Sequence, residues 1–124
     1  MPFEQGQEQE QEQQQQEPRI YEVTEGLKSK HTKIAYRIAF NHFLDVTIKS
    51  KDRRALLNTK QNVIENRIID HITYLKDVEG LTYRSILVHL SAIFHFFEIN
   101  DYDELRRRKI KRFLPEDESD YYDR

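Results

Sequence analysis

The chain has 124 residues, no cysteine and a formal net charge of −2. That length suits a single domain, and the lack of thiols excludes both a disulfide framework and a thiolate metal site. Neither a secretory apolar core nor a run long enough to span a bilayer is present, so a cytoplasmic protein without membrane contact is expected.

The small net charge conceals an uneven distribution. Residues 1–27 carry net −6, residues 28–114 net +8 and residues 115–124 net −4. A basic unit between acidic flanks attracts polyanions more strongly than its total charge implies. Met1 to Glu17, MPFEQGQEQEQEQQQQE, is too poor in apolar residues to offset the entropy of ordering. The expected organisation is a disordered Gln/Glu-rich tail over 1–24, a helical domain over 25–114 and an acidic linker over 115–124.

In chain order, the first helix is expected from Ser29 to Ile48. Ala35, Ala39, Phe43 and Val46 form one stripe, flanked by Tyr36, Phe40 and Thr47. Lys33, Arg37, Asn41 and Asp45 recur on the opposite side, and Ser29 or Thr32 is the expected cap. Lys49 to Lys60 is polar and interrupted, and reads mostly as loop. A second helix is expected after Asn58, with Gln61 completing a capping-box-like arrangement. Ile64, Ile68, His71, Ile72 and Leu75 share its apolar face, and Gly80 stops it.

The third helix, Thr82 to Glu98, has the strongest pattern. Tyr83, Ile86, Leu87, Leu90, Ile93, Phe94 and Phe97 follow helical spacing, and Val88, Ala92 and Phe96 widen the apolar surface. A helix apolar over so much of its circumference is expected at the centre of the bundle. A short fourth helix is expected from Asp101, with Glu104 at N3, running to Pro115. Leu105, Ile110, Phe113 and Leu114 would anchor it. The expected fold is all-α, a small bundle of four to five helices.

Catalytic signatures are missing. His31, His42, His71, His89 and His95 form no H-E-x-x-H or HxxxH pair; His71 and His89 are expected at the core margin and the others on the surface. There is no G-x-S-x-G elbow and no glycine-rich phosphate loop. No cofactor and no metal are expected, and a free-standing enzyme is not.

Two basic clusters remain. One comprises Lys28, Lys30, His31, Lys33 and Arg37, around the first helix start. Cations there oppose the helix dipole, which suits a nearby phosphate that Thr32 and the free backbone N–H groups can also bind. The other is the run Arg106 to Arg108 with Lys109, Lys111 and Arg112. Each is alternatively an ordinary solvated face. Arg84 and Ser85 open the central helix after a tight turn, an arrangement that can present an arginine to a major-groove edge. Alternatively, the Arg84 stem covers apolar surface.

The segment SKHTKIAYRIAFNHFL resembles the opening of the N-terminal core-binding domain of tyrosine recombinases, the phage integrase family. Ser29, Thr32, Tyr36 and Phe43 carry the likeness. LTYRSILVHLSAIFHFFEIND is similar to that domain's later helix through Thr82, Ser85, Ile86, Leu90, Ser91, Ala92, Ile93, Phe96 and Phe97. KIKRFLPEDES resembles the join to the catalytic domain, as in archaeal integrase-like proteins. The resemblance spans roughly Ser29 to Glu118 and implies a SAM-like bundle that grips double-stranded DNA. The contacts it implies are Thr32, Lys33 and the Tyr36 region, with Tyr83, Arg84 and Ser85; Tyr36 is equally placed for the core. The family's His-x-x-Arg motif is missing here, and Tyr121 and Tyr122 lack the arginines and histidine that a nucleophile needs. The expected partners are duplex DNA and a catalytic recombinase domain or full-length recombinase. The alternative is a small helical protein–protein interaction module.

Overall fold

A computed structural model describes residues 19–117, and all the regular structure in it is helical. The expectations for Met1 to Glu17, for Tyr121 and Tyr122, and for most of the acidic linker lie outside the described residues.

Helix α1 (Lys30–Phe43) starts where Ser29 supplies a cap: its Oγ accepts the Thr32 N–H at 3.3 Å. The buried stripe is rotated slightly from the expected one. Ala39, Phe40 and Phe43 are buried, whereas Ala35 and Val46 are half-exposed. Phe40, expected on the flank, stacks on Phe96 with ring centroids 4.3 Å apart. Instead of ending cleanly, the helix widens into a π-helical turn over Leu44–Ile48, closed by Lys49 at φ 60°. The wider turn buries Leu44 completely and sets Thr47 against His71.

The segment expected as loop contains a short helix, α2 (Arg53–Leu57). Asp52 caps it by accepting the Ala55 N–H at 3.0 Å, and Leu56 anchors it in the core. Asn58 therefore ends this helix rather than opening the next one. The expected Asn58/Gln61 capping box does not form. Helix α3 (Gln61–Asp77) opens at Lys60 without a side-chain cap, and Gln61 donates instead to Glu65. Its buried face holds the five expected residues plus Glu65. Gly80, at φ 67°, turns the chain, as its position implied.

Helix α4 (Tyr83–Ile99) is capped by Thr82, whose Oγ1 accepts the Ser85 N–H at 3.4 Å. Ile86, Leu90, Ala92, Ile93, Phe94, Phe96 and Phe97 are buried, and α4 packs on both α1 and α3 as the central element. Its direction follows from its ring contacts. Tyr36 meets His95, Phe40 meets Phe96, and His42 meets His89. From Tyr36 to His42 along α1 the partner on α4 moves back from His95 to His89, so the two helices are antiparallel.

The last helix, α5 (Arg107–Lys111), is shorter than expected. Asp101 does not cap it; at φ 60° it closes α4, its N–H donating to the Glu98 carbonyl. The chain then runs non-helically so that the Tyr102 hydroxyl can donate to the Thr59 carbonyl at 2.8 Å. Ile110 is fully buried, but Phe113 is 44% exposed and is not an anchor.

The ordered domain also begins earlier than residue 25. Val23 is buried and Ile20 packs against the core. Asn100 ties this strap down, accepting the Tyr21 N–H at 2.8 Å and donating to the Tyr21 carbonyl at 2.9 Å. His95 donates to the Glu25 carbonyl at 2.8 Å. Gly26 sits at φ 81°, where an added Cβ would lie 3.0 Å from Ile99 Cδ1. Among the described residues, no helix is long and apolar enough to cross a membrane.

Candidate nucleic-acid interface

The start of α1 presents the first basic cluster. Lys28, Lys30, His31 and Arg37 are exposed, and Lys33 and Thr32 are half-buried. No acidic side chain occupies the first turn. The Thr32 N–H is taken by Ser29, so its backbone is committed to the cap. Lys33 and Arg37 line an open groove with Tyr21, Thr24, Glu25, Gly26, Leu27 and Ile99. The strap thus builds one wall beside two cations. This part of the site was not visible in the sequence, because Val23 and Asn100 are far apart in the chain.

The second expected set, Tyr83, Arg84 and Ser85, lies on the first turn of α4. Arg84 and Ser85 are exposed and Tyr83 is half-buried. The Ser85 backbone and hydroxyl both bond to Thr82. The structure does not bring this set beside the first. Because α1 and α4 are antiparallel, Arg84 lies at the end of the bundle opposite to Lys33. With His42 level with His89, their separation along the helix axes is about 20 Å at 1.5 Å per residue.

The third set divides. Glu65, fully buried on α3, accepts the Arg106 backbone N–H at 2.7 Å, and the Arg106 guanidinium donates to it from Nε at 3.1 Å and Nη2 at 2.7 Å. These bonds hold the Glu65 carboxyl down to about 2 against the opposing effect of burial; Gln61 assists. The same contact raises Arg106 above its ordinary value. Lys109, half-buried, also turns toward Glu65, its Nζ at 3.9 Å. Arg107 donates to Glu98 at 3.0 Å and lies over the Phe94 ring. Lys111 and Arg112 are exposed, as is Arg108. Part of this run is therefore structural glue. Glu65 itself was not anticipated, since its partner lies 41 positions away.

The histidines are arranged differently from expectation. His42, expected on the surface, and His95 are half-buried. His42, His71 and His89 adjoin one another, and His42 Nε2 hydrogen-bonds Glu79. His71 is only 1% exposed. Among the described residues, no group of three or more His, Cys, Asp or Glu side chains is placed to hold a metal ion. No protein family, curated protein or solved structure matches the chain. The integrase resemblance therefore rests on the residues quoted for it.

Proposed function

We propose that this domain binds double-stranded DNA, with the start of α1 as its principal contact, and serves an integrase-like recombinase as a grip rather than as a catalyst. The observation that carries this reading is the set of exposed Lys28, Lys30, His31 and Arg37 with half-buried Lys33 around a helix N-terminus that has no acid in its first turn. Five side chains able to carry positive charge suit a phosphate backbone. Arg84 and Ser85 offer a second contact. A separation of about 20 Å is about six base-pair steps at 3.4 Å each, so a duplex would have to run along the α1–α4 pair to meet both sets. Without a His-x-x-Arg motif the chain would need a catalytic partner to cut DNA.

Fluorescence anisotropy on a labelled duplex, across a salt series, tests the reading. Affinity should fall steeply and log-linearly with salt. Absence of duplex binding at low salt, or binding indifferent to salt, refutes it.

One observation favours a second reading, a protein-interaction module. Ile34 and Ile38, one turn apart on α1, are 46% and 63% exposed between the cations. If Ile38→Ser leaves DNA affinity unchanged while Lys33→Ala reduces it, the surface is electrostatic and the DNA reading stands.

A further inference from the structure

We infer that His42, His71 and His89, brought together from three helices beside Glu79, form an acid-sensitive latch that holds the α3–α4 turn and the first half of α4 against the end of α1. This goes beyond the DNA reading and does not depend on it.

The geometry is a triangle of imidazoles. Ring centroids are 5.6 Å apart for His42 and His71, 5.7 Å for His42 and His89, and 6.2 Å for His71 and His89. His71 Nδ1 is engaged by Thr47 Oγ1 at 2.6 Å, whereas its Nε2 is buried without a partner. His89 Nδ1 is likewise buried and unpartnered. A neutral ring can leave a lone pair at such a site. A protonated ring must place an N–H there with nothing to accept it, which is far more costly.

Charge stoichiometry points the same way. From α1 the cluster meets His42, from α3 His71 and Tyr74, from the connecting turn Glu79, and from α4 His89; the π-helical turn contributes only Thr47. Glu79 is the one carboxylate among the described residues seen in contact with the three rings, and it already bonds His42. A first proton has a counter-ion. Further protons would meet a neighbouring cation in a poorly solvated site. Burial first, then His42 and His89, pushes His71 down to about 3. Burial and His42 also lower His89, with Glu79 opposing.

Since these folded-state values lie below the unfolded value, the opened chain takes up more protons. The latch is fully closed above about pH 6.5 and weakens as pH falls. It joins the elements that position Tyr83, Arg84 and Ser85, so acid should loosen that end first.

The test is an NMR titration of the histidine ring resonances in the intact chain, with denaturant unfolding at each pH. His71 should stay neutral while the protein is folded. The shift from 6.5 to about 3 implies that His71 alone favours opening by about 30-fold between pH 7.5 and pH 5. His71→Phe should remove most of the pH slope of stability, and His89→Gln should reduce it without abolishing it. If His71 titrates near 6.5 in the folded protein, or if the wild-type slope is undiminished in His71→Phe, the latch is refuted. The wild-type titration decides the matter even if His71→Phe does not fold.

Discussion

Glu65 and His71 occupy neighbouring turns of one buried helix face, and their environments push their chemistry in opposite ways. Glu65 is kept charged by Arg106, and His71 is kept neutral by burial. Glu65→Gln keeps the shape but loses the paired acceptor, and should destabilise by about 2 kcal/mol in urea unfolding, within the range for charge-assisted hydrogen bonds. The pH dependence has two windows. His71, lowered on folding, favours the native state fully above 6.5 and loses that advantage as pH falls toward 3. Glu65, also lowered, contributes above 4.5 and is lost as pH falls toward about 2. Unfolding midpoints should therefore decline first from near-neutral pH and again below 4.5; a flat profile down to pH 5 would contradict the first window. Periodicity marked His71 as part of the apolar face. It could not mark Glu65, because what makes a buried carboxylate tolerable is a partner beyond the reach of local pattern.

Long helices were legible because many residues repeat one message. The buried residues of α3 and α4 follow the expected spacing closely, and Ser29, Gly80 and Thr82 terminate elements as their chemistry suggests. Short elements were not. Helix α2 spans barely more than one turn, too few residues for a period to register, and its Asp52 cap is the one local clue. At Asp101, local capping preference lost to tertiary demand: Tyr102 reaches the Thr59 carbonyl and packs on Phe97. Two substitutions probe this scale. Thr82→Ala should cost about 1 kcal/mol by removing the α4 cap. Gly80→Ala should cost about 1 kcal/mol through backbone strain alone, since no atom lies within 4 Å of an added Cβ. Gly80→Asn should be milder; equal losses for alanine and asparagine would argue against that origin.

Across the whole molecule, helix direction decides how the basic residues are grouped. The sequence shows which segments are cationic, but not which end of the bundle each reaches. The tight turn at Gly80 and the antiparallel packing of α1 on α4 settle that, separating Lys33 from Arg84. Lys33→Ala combined with Arg37→Ala should weaken binding to every duplex by about tenfold or more and reduce the salt slope by roughly two. Arg84→Ala should change preference among sequences more than overall affinity, measured by competition between duplexes.

The strap has a consequence for the order of assembly. Helices α3 and α4 meet through a short turn, whereas Tyr21 and Asn100 are joined across 79 positions. Loop closure over that span is entropically expensive, and the segment fastened by it is small. The hairpin should form early and the strap last, and in reverse the strap should be the first part to peel away. Native-state hydrogen exchange should show the Tyr21 amide opening well below the global unfolding free energy. The groove beside Lys33 and Arg37 would then be a late-forming and intermittently dismantled feature of an otherwise persistent bundle.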